Sequence, residues 1–131
     1  MVNKEVLLSE LCSRLPYEVK CDVGDDKPYT LNSIEVDYTG GHLIRFKEMK
    51  NGFIMEVYLS EVKPYLFPMS SMTEKQKEEY RELCNDTITE WGNPLYFDNV
   101  ESINWLNKNH FDYRDLIGKG LAYSAVGLNI Y

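Results

Sequence analysis

The chain has 131 residues, 44% of them hydrophobic and 27% charged, a balance that suits one folded domain and excludes disordered and fibrous classes. Its formal net charge of −7 is spread over both halves without a Lys/Arg stripe, which argues against a nucleic-acid backbone as partner, since that needs clustered cations to displace counterions. Three cysteines without paired spacing, no export leader and no apolar run of the roughly 20 residues a membrane span needs predict reduced thiols, no membrane and a cytoplasmic location.

Val6, Leu7, Leu8, Leu11 and Leu15 recur at helical spacing between Asn3, a possible N-cap, and Pro16. They predict an amphipathic helix over residues 4–14. Tyr17, Val19 and Cys21 then alternate with Glu18, Lys20 and Asp22, the period of a half-buried strand. The turn-rich run Gly24 to Pro28 ends it. Tyr29 and Leu31 share one parity, whereas Ile34, Val36 and Tyr38 share the other, so a bulge or bend is expected across Asn32 and Ser33. Thr39 to His42 reads as a hairpin turn, Ile44 and Phe46 as the next strand, and Asn51-Gly52 as a second hairpin signal before Phe53, Met55, Val57 and Leu59. Residues 1–68 are thus a helix plus a bent antiparallel meander over about residues 17–60, with closure into a small barrel-like unit as its tightest form.

Pro64 and Pro68 remove backbone donors and hold the run from Lys63 to Glu74 extended. That run is expected to brace the boundary between the halves, with Tyr65, Leu66 and Phe67 packed across it. Residues 69–131 read as a helical unit. Ser71 with Glu74 and Thr73 with Gln76 are overlapping capping boxes. Tyr80, Leu83, Cys84, Thr87, Ile88 and Trp91 form a helical stripe up to Gly92-Asn93-Pro94. Asp98 with Glu101 opens a second helix running to about Lys108, and Asp112 caps a third through Leu116 and Ile117, ended by Gly118 or Gly120. The tail from Leu121 to Tyr131 is small and apolar, and its alternating end suits a strand or contact with another subunit. The expected fold is α+β in one compact domain: N-terminal helix, bent meander, three-helix C-terminal part.

Chemical signals are sparse. His110 stands two residues from Asp112, the pairing a general base needs for orientation. Asp112 is better explained as a helix cap, so the two are weak catalytic candidates for a hydrolase. No C-x-x-C or H-x-x-x-H spacing supports a metal, and no Walker or nucleophile-elbow sequence supports a cofactor or covalent catalysis. Cys12, Cys21 and Cys84 read as packed small side chains. Ten tyrosines are the one excess, and tyrosine is favoured where proteins meet. This points to a protein partner or homo-oligomer, with Tyr65, Phe67, Tyr123 and Tyr131 as interface residues. The alternative is a small nucleotide-like ligand held between the halves, with Arg45, Arg114 and Lys119 as its charge partners.

Two strings, Lys-Pro-Tyr-Leu-Phe-Pro-Met-Ser-Ser-Met-Thr-Glu at 63–74 and the run from Trp105 to Ala122, are distinctive. With Leu11 to Tyr17, they make the chain resemble a family of small uncharacterised proteins from gut Bacteroidales and their phages. The resemblance covers most of the chain and is looser over 22–60 and 86–102. It implies a bacterial cytoplasm and a mobile element, and by association a non-enzymatic accessory protein that binds host factors, defence components or signalling molecules. It implies no activity, cofactor or catalytic residue. Family members tend to end in a polar tail, where this chain has Tyr123 to Tyr131.

Overall fold

A computed structural model describes residues 2–88, 94–97 and 100–131, with side chains over 4–84 and 100–131. Leu66 and Phe67, neighbours on one strand, belong to two different apolar clusters. In an extended chain successive side chains point to opposite faces, so a single strand can serve two cores at once. The larger core gathers Leu7, Leu11, Val19, Cys21, Leu31, Ile44, Phe46, Val62, Leu66 and Leu116. The smaller holds Met72, Leu106 and Phe111, with Phe67, Tyr80 and Trp105 packed on it.

Helix α1 (Val2–Arg14) presents Leu7 and Leu11 to the larger core. It starts earlier than predicted, so Asn3 lies inside it and is no cap. Pro16 ends it through a single 3-10 turn at Leu15–Tyr17, and Glu18, at φ 56°, redirects the chain. Strands β1 (Lys20–Asp22), β2 (Tyr29–Val36), β3 (His42–Phe46) and β4 (Glu56–Tyr58) form the antiparallel meander. Its register shifts between Leu31 and Ser33, where the apolar parity changes. The first and last strands are shorter than expected. Tyr17 stays in the 3-10 turn, and Phe53 and Met55 precede β4.

The proline run is itself a sheet strand, β5 (Lys63–Pro68). It pairs antiparallel with β1, placing Pro64 opposite Cys21. Its other edge takes two short parallel strands, β8 (Phe111–Asp112) beside Phe67 and Pro68, and β9 (Tyr123–Ser124) beside Tyr65 and Leu66. Both prolines stand near the ends of β5, where their missing donors cost the ladder least. The expected meander stops at about residue 60 and does not include this run; it is a strand of the sheet, and it joins the two cores through Leu66 and Phe67. The seven-stranded sheet runs β4-β3-β2-β1-β5-β8 with β9 also on β5, open and not closed into a barrel.

The C-terminal part departs most from expectation. Its described residues contain two α-helices, α2 (Glu74–Leu83) and α3 (Val100–Lys108), not three. Thr73 and Gln76 close both halves of a capping box on α2, at 3.1 and 2.9 Å. Ser71 instead donates to the Pro68 carbonyl at 2.6 Å. The predicted continuation through Thr87 and Ile88 is replaced by a hairpin of β6 (Asn85–Ile88) and β7 (Pro94–Phe97). Trp91, Gly92, Asn93 and Asp98 lie outside the described residues. From Tyr113 to Gly120 the chain is a series of turns without a helix. In the tail the strand is β9, not the alternating run from Leu128 to Tyr131. No described helix is long and apolar enough to cross a membrane.

Candidate binding cleft at the seam

Asn109 closes α3, since its backbone and side-chain N–H groups both donate to the Trp105 carbonyl, at 3.0 and 2.9 Å. His110 then takes φ 63°, a left-handed turn that side chains enter at some cost, and the chain swings from helix into β8. The Phe67 amide donates to the His110 carbonyl at 2.8 Å and locks that swing to β5. Trp105 and Phe111 stack behind it with centroids 5.6 Å apart, 18° from parallel.

The imidazole of His110 stacks on Tyr131, with centroids 3.7 Å apart and planes at 16°. The Tyr131 hydroxyl sits between two strands. It accepts from the Lys20 amide at 2.8 Å and donates to the Tyr65 carbonyl at 2.8 Å, the rung next to the Cys21–Pro64 pair. The residue as a whole keeps 39% of its surface exposed, while its hydroxyl is held between the strands. Burial raises this phenol above the ordinary tyrosine range. His110 is only 9% exposed and its Nδ1 has no hydrogen-bond partner. Burial, with the Arg14 and Lys20 cations adding to it, pushes the imidazole down to about 4, so the ring is neutral at pH 7.

An open cleft of about 390 Å³ lies against this stack. Its walls are Phe67, Phe111, His110, Tyr131, Val126 and Gly127, and its polar rim is Ser71, Gln76, Lys108 and Asn109. Beside Phe111 lies a buried charge network. Arg14 donates from Nε to Glu10 at 3.0 Å and from Nη2 to the Phe111 carbonyl at 2.6 Å, and both charged residues are fully buried. Arg114 Nε stands 3.1 Å from the other Glu10 oxygen, an ion pair whose alignment is too poor for a hydrogen bond. The Arg14 guanidinium also lies 5.2 Å from the centre of the Tyr113 ring. The network fixes the Phe111 backbone and hence one wall of the cleft.

The predicted residues divide. His110, Phe67 and Tyr131 meet at the cleft. Tyr123 lies on adjacent β9, 41% exposed, with Lys63 Nζ 5.1 Å from its ring centre. Tyr65 is buried, its ring tilted at 35° to that of Tyr123 with centroids 5.9 Å apart, so it has little surface to offer a partner. Asp112 accepts from the Leu116 and Ile117 amides at 2.8 and 2.9 Å. Both its oxygens are thus engaged as a turn cap, and the structure gives no hydrogen bond from it to His110. Arg45 pairs with Glu35 and Glu56 at 3.0 and 3.2 Å out on β3. Arg114 pairs with Glu10, and Lys119 donates to the Arg114 carbonyl at 3.0 Å. None of these three cations lines the cleft.

Cys21 and Cys84 are buried, and burial lifts the Cys21 thiol far above its ordinary range. Cys12 is exposed, so it is not the packed side chain expected. Among the described residues no group of three or more His, Cys, Asp or Glu is placed to hold a metal ion.

Sequence reasoning missed Glu10, Arg14, Lys108 and Gln76. For Glu10 and Arg14 a signal existed, because Leu7, Glu10, Leu11 and Arg14 fall at i, i+3, i+4 and i+7 on one helix stripe. Comparison with known proteins finds no matching family model, no matching curated protein and no matching solved structure.

Proposed function

We propose that this chain is a non-enzymatic accessory protein of phage or mobile-element type that acts in a bacterial cytoplasm and binds a protein partner or a second copy of itself. The provenance rests on the sequence resemblance alone. The binding role rests on one observation: Tyr123, Val126, Leu128 and Tyr131 are 41, 55, 48 and 39% exposed along a single stretch of tail beside the aromatic cleft. Single exposed apolar side chains are ordinary, but four within one short stretch beside a cleft support a docking role. The tail is held in place by the Ala125 amide on the Leu66 carbonyl at 2.8 Å and by the Tyr131 hydroxyl. The side chains between these anchors are therefore presented on a fixed backbone, which lowers the entropy cost of binding.

A hydrolytic role has less support, because Asp112 spends both oxygens on backbone amides and leaves His110 without that orienting carboxylate. The test is sedimentation of the labelled full chain, purified and in bacterial extract. The wild type is expected to move in a larger species, and Val126→Asp with Leu128→Asp to return it to monomer. Monomeric sedimentation of the wild type under both conditions would overturn the proposal.

A further inference from the structure

The molecule carries a net charge of −7, yet no Asp or Glu lines the seam cleft and one lysine does. Lys108 is exposed and forms no ion pair among the described residues. Gln76 spends its carboxamide oxygen on the Thr73 amide, which leaves its N–H groups for a visitor. Ser71 gives its proton to the Pro68 carbonyl and keeps its lone pairs. His110, nine-tenths buried and stacked on the Tyr131 ring, lines the same cleft with its Nδ1 itself buried. Phe67 and Tyr131 add aromatic surface, whereas Phe111 is buried, and the volume of about 390 Å³ falls within the range of small-molecule sites.

We infer that the cleft binds a planar aromatic molecule carrying one anionic group, with its ring on the aromatic wall of Phe67 and Tyr131 and its charge on Lys108. Aromatic walls favour flat π systems. One anionic group is the limit, because the C-terminal end of α3 opposes negative charge and only Lys108 answers it. Polyphosphates are thereby excluded as preferred ligands. The inference does not depend on the docking surface of the tail.

Histidine-labelled protein and NMR test it, because the chain has two histidines and His42 lines a different concavity, serving as internal control. The probes are indole-3-carboxylate and its neutral carboxamide. The carboxylate is expected to shift the His110 ring signals saturably, leave His42 unmoved and bind about tenfold more tightly than the carboxamide, the scale of one charge-assisted contact. Lys108→Gln, an exposed substitution, is expected to erase that difference while keeping the carboxamide affinity. The inference is overturned by the absence of a saturable His110 shift, by equal movement of both histidines, by equal affinity for the two probes, or by a Lys108→Gln protein that retains the preference.

Discussion

The Tyr131 hydroxyl stands where a ladder rung between Lys20 and Tyr65 would be, bonded to both backbones. Tyr131→Phe keeps the ring but leaves those groups unpaired, and it should cost about 1–3 kcal/mol in urea unfolding. The Lys20 amide should then exchange faster than those of the β2–β3 ladder. An unchanged Lys20 rate would contradict the contact. Arg14 makes a harsher case, because Arg14→Leu leaves the buried Glu10 carboxylate with only its poorly aligned Arg114 partner and should cost about 3–5 kcal/mol. The pair replacement Glu10→Leu with Arg14→Leu should cost less than the single one, since no buried charge is then left without its partner.

His110 supplies the pH dependence. Its folded value, about 4, lies below the ordinary 6.5, so the unfolded chain binds more protons between the two. Its contribution to stability is whole above pH 6.5 and is lost as pH falls toward 4. Unfolding followed across that window should show this loss, and His110→Gln should flatten it. At this scale local chemistry was legible and distant chemistry was not. Asp112 as a cap follows from its neighbours in sequence. The stack of His110 on Tyr131 requires a fold to bring together residues 21 positions apart, and an i,i+4 Glu–Arg pair ordinarily reads as a solvated face.

Among the elements, α2 shows a start written in sequence and a stop that is not. Thr73 and Gln76 satisfy each other's amides, and Thr73→Ala should cost about 1 kcal/mol, measurable as a lower unfolding midpoint with an unchanged slope. The stripe from Tyr80 onward predicted more helix than exists, because spacing cannot weigh Asn85, Asp86, Thr87 and Ile88. Two of those are side chains that compete for backbone bonds, and two are β-branched and prefer strands. The prolines of β5 misled in the opposite direction. Proline is rare in a strand paired on both edges, yet here the two stand near the strand's ends while the Phe67 amide carries a bond to His110. The meander and its bulge were readable, since parity alone locates them.

Across the whole molecule, β5 puts Leu66 in one core and Phe67 in the other, so the two should unfold together. Leu66→Ala should cost about 2–5 kcal/mol and lower hydrogen-exchange protection in both α1 and α3, whereas independent halves would lose it in one. The same strand sets the cleft and the tail side by side through β8 and β9. The central claim is that this side of the molecule is where the protein meets others. Other exposed apolar side chains, Tyr38, Phe53 and Ile54, lie on the turns of the meander and provide the contrast. Hydroxyl-radical footprinting of the full chain, alone and in bacterial extract, is the direct measurement. Protection at Tyr123, Val126, Leu128 and Tyr131, with Tyr38, Phe53 and Ile54 still reactive, is the predicted result. Protection on the meander turns instead, or none at the tail, would contradict it.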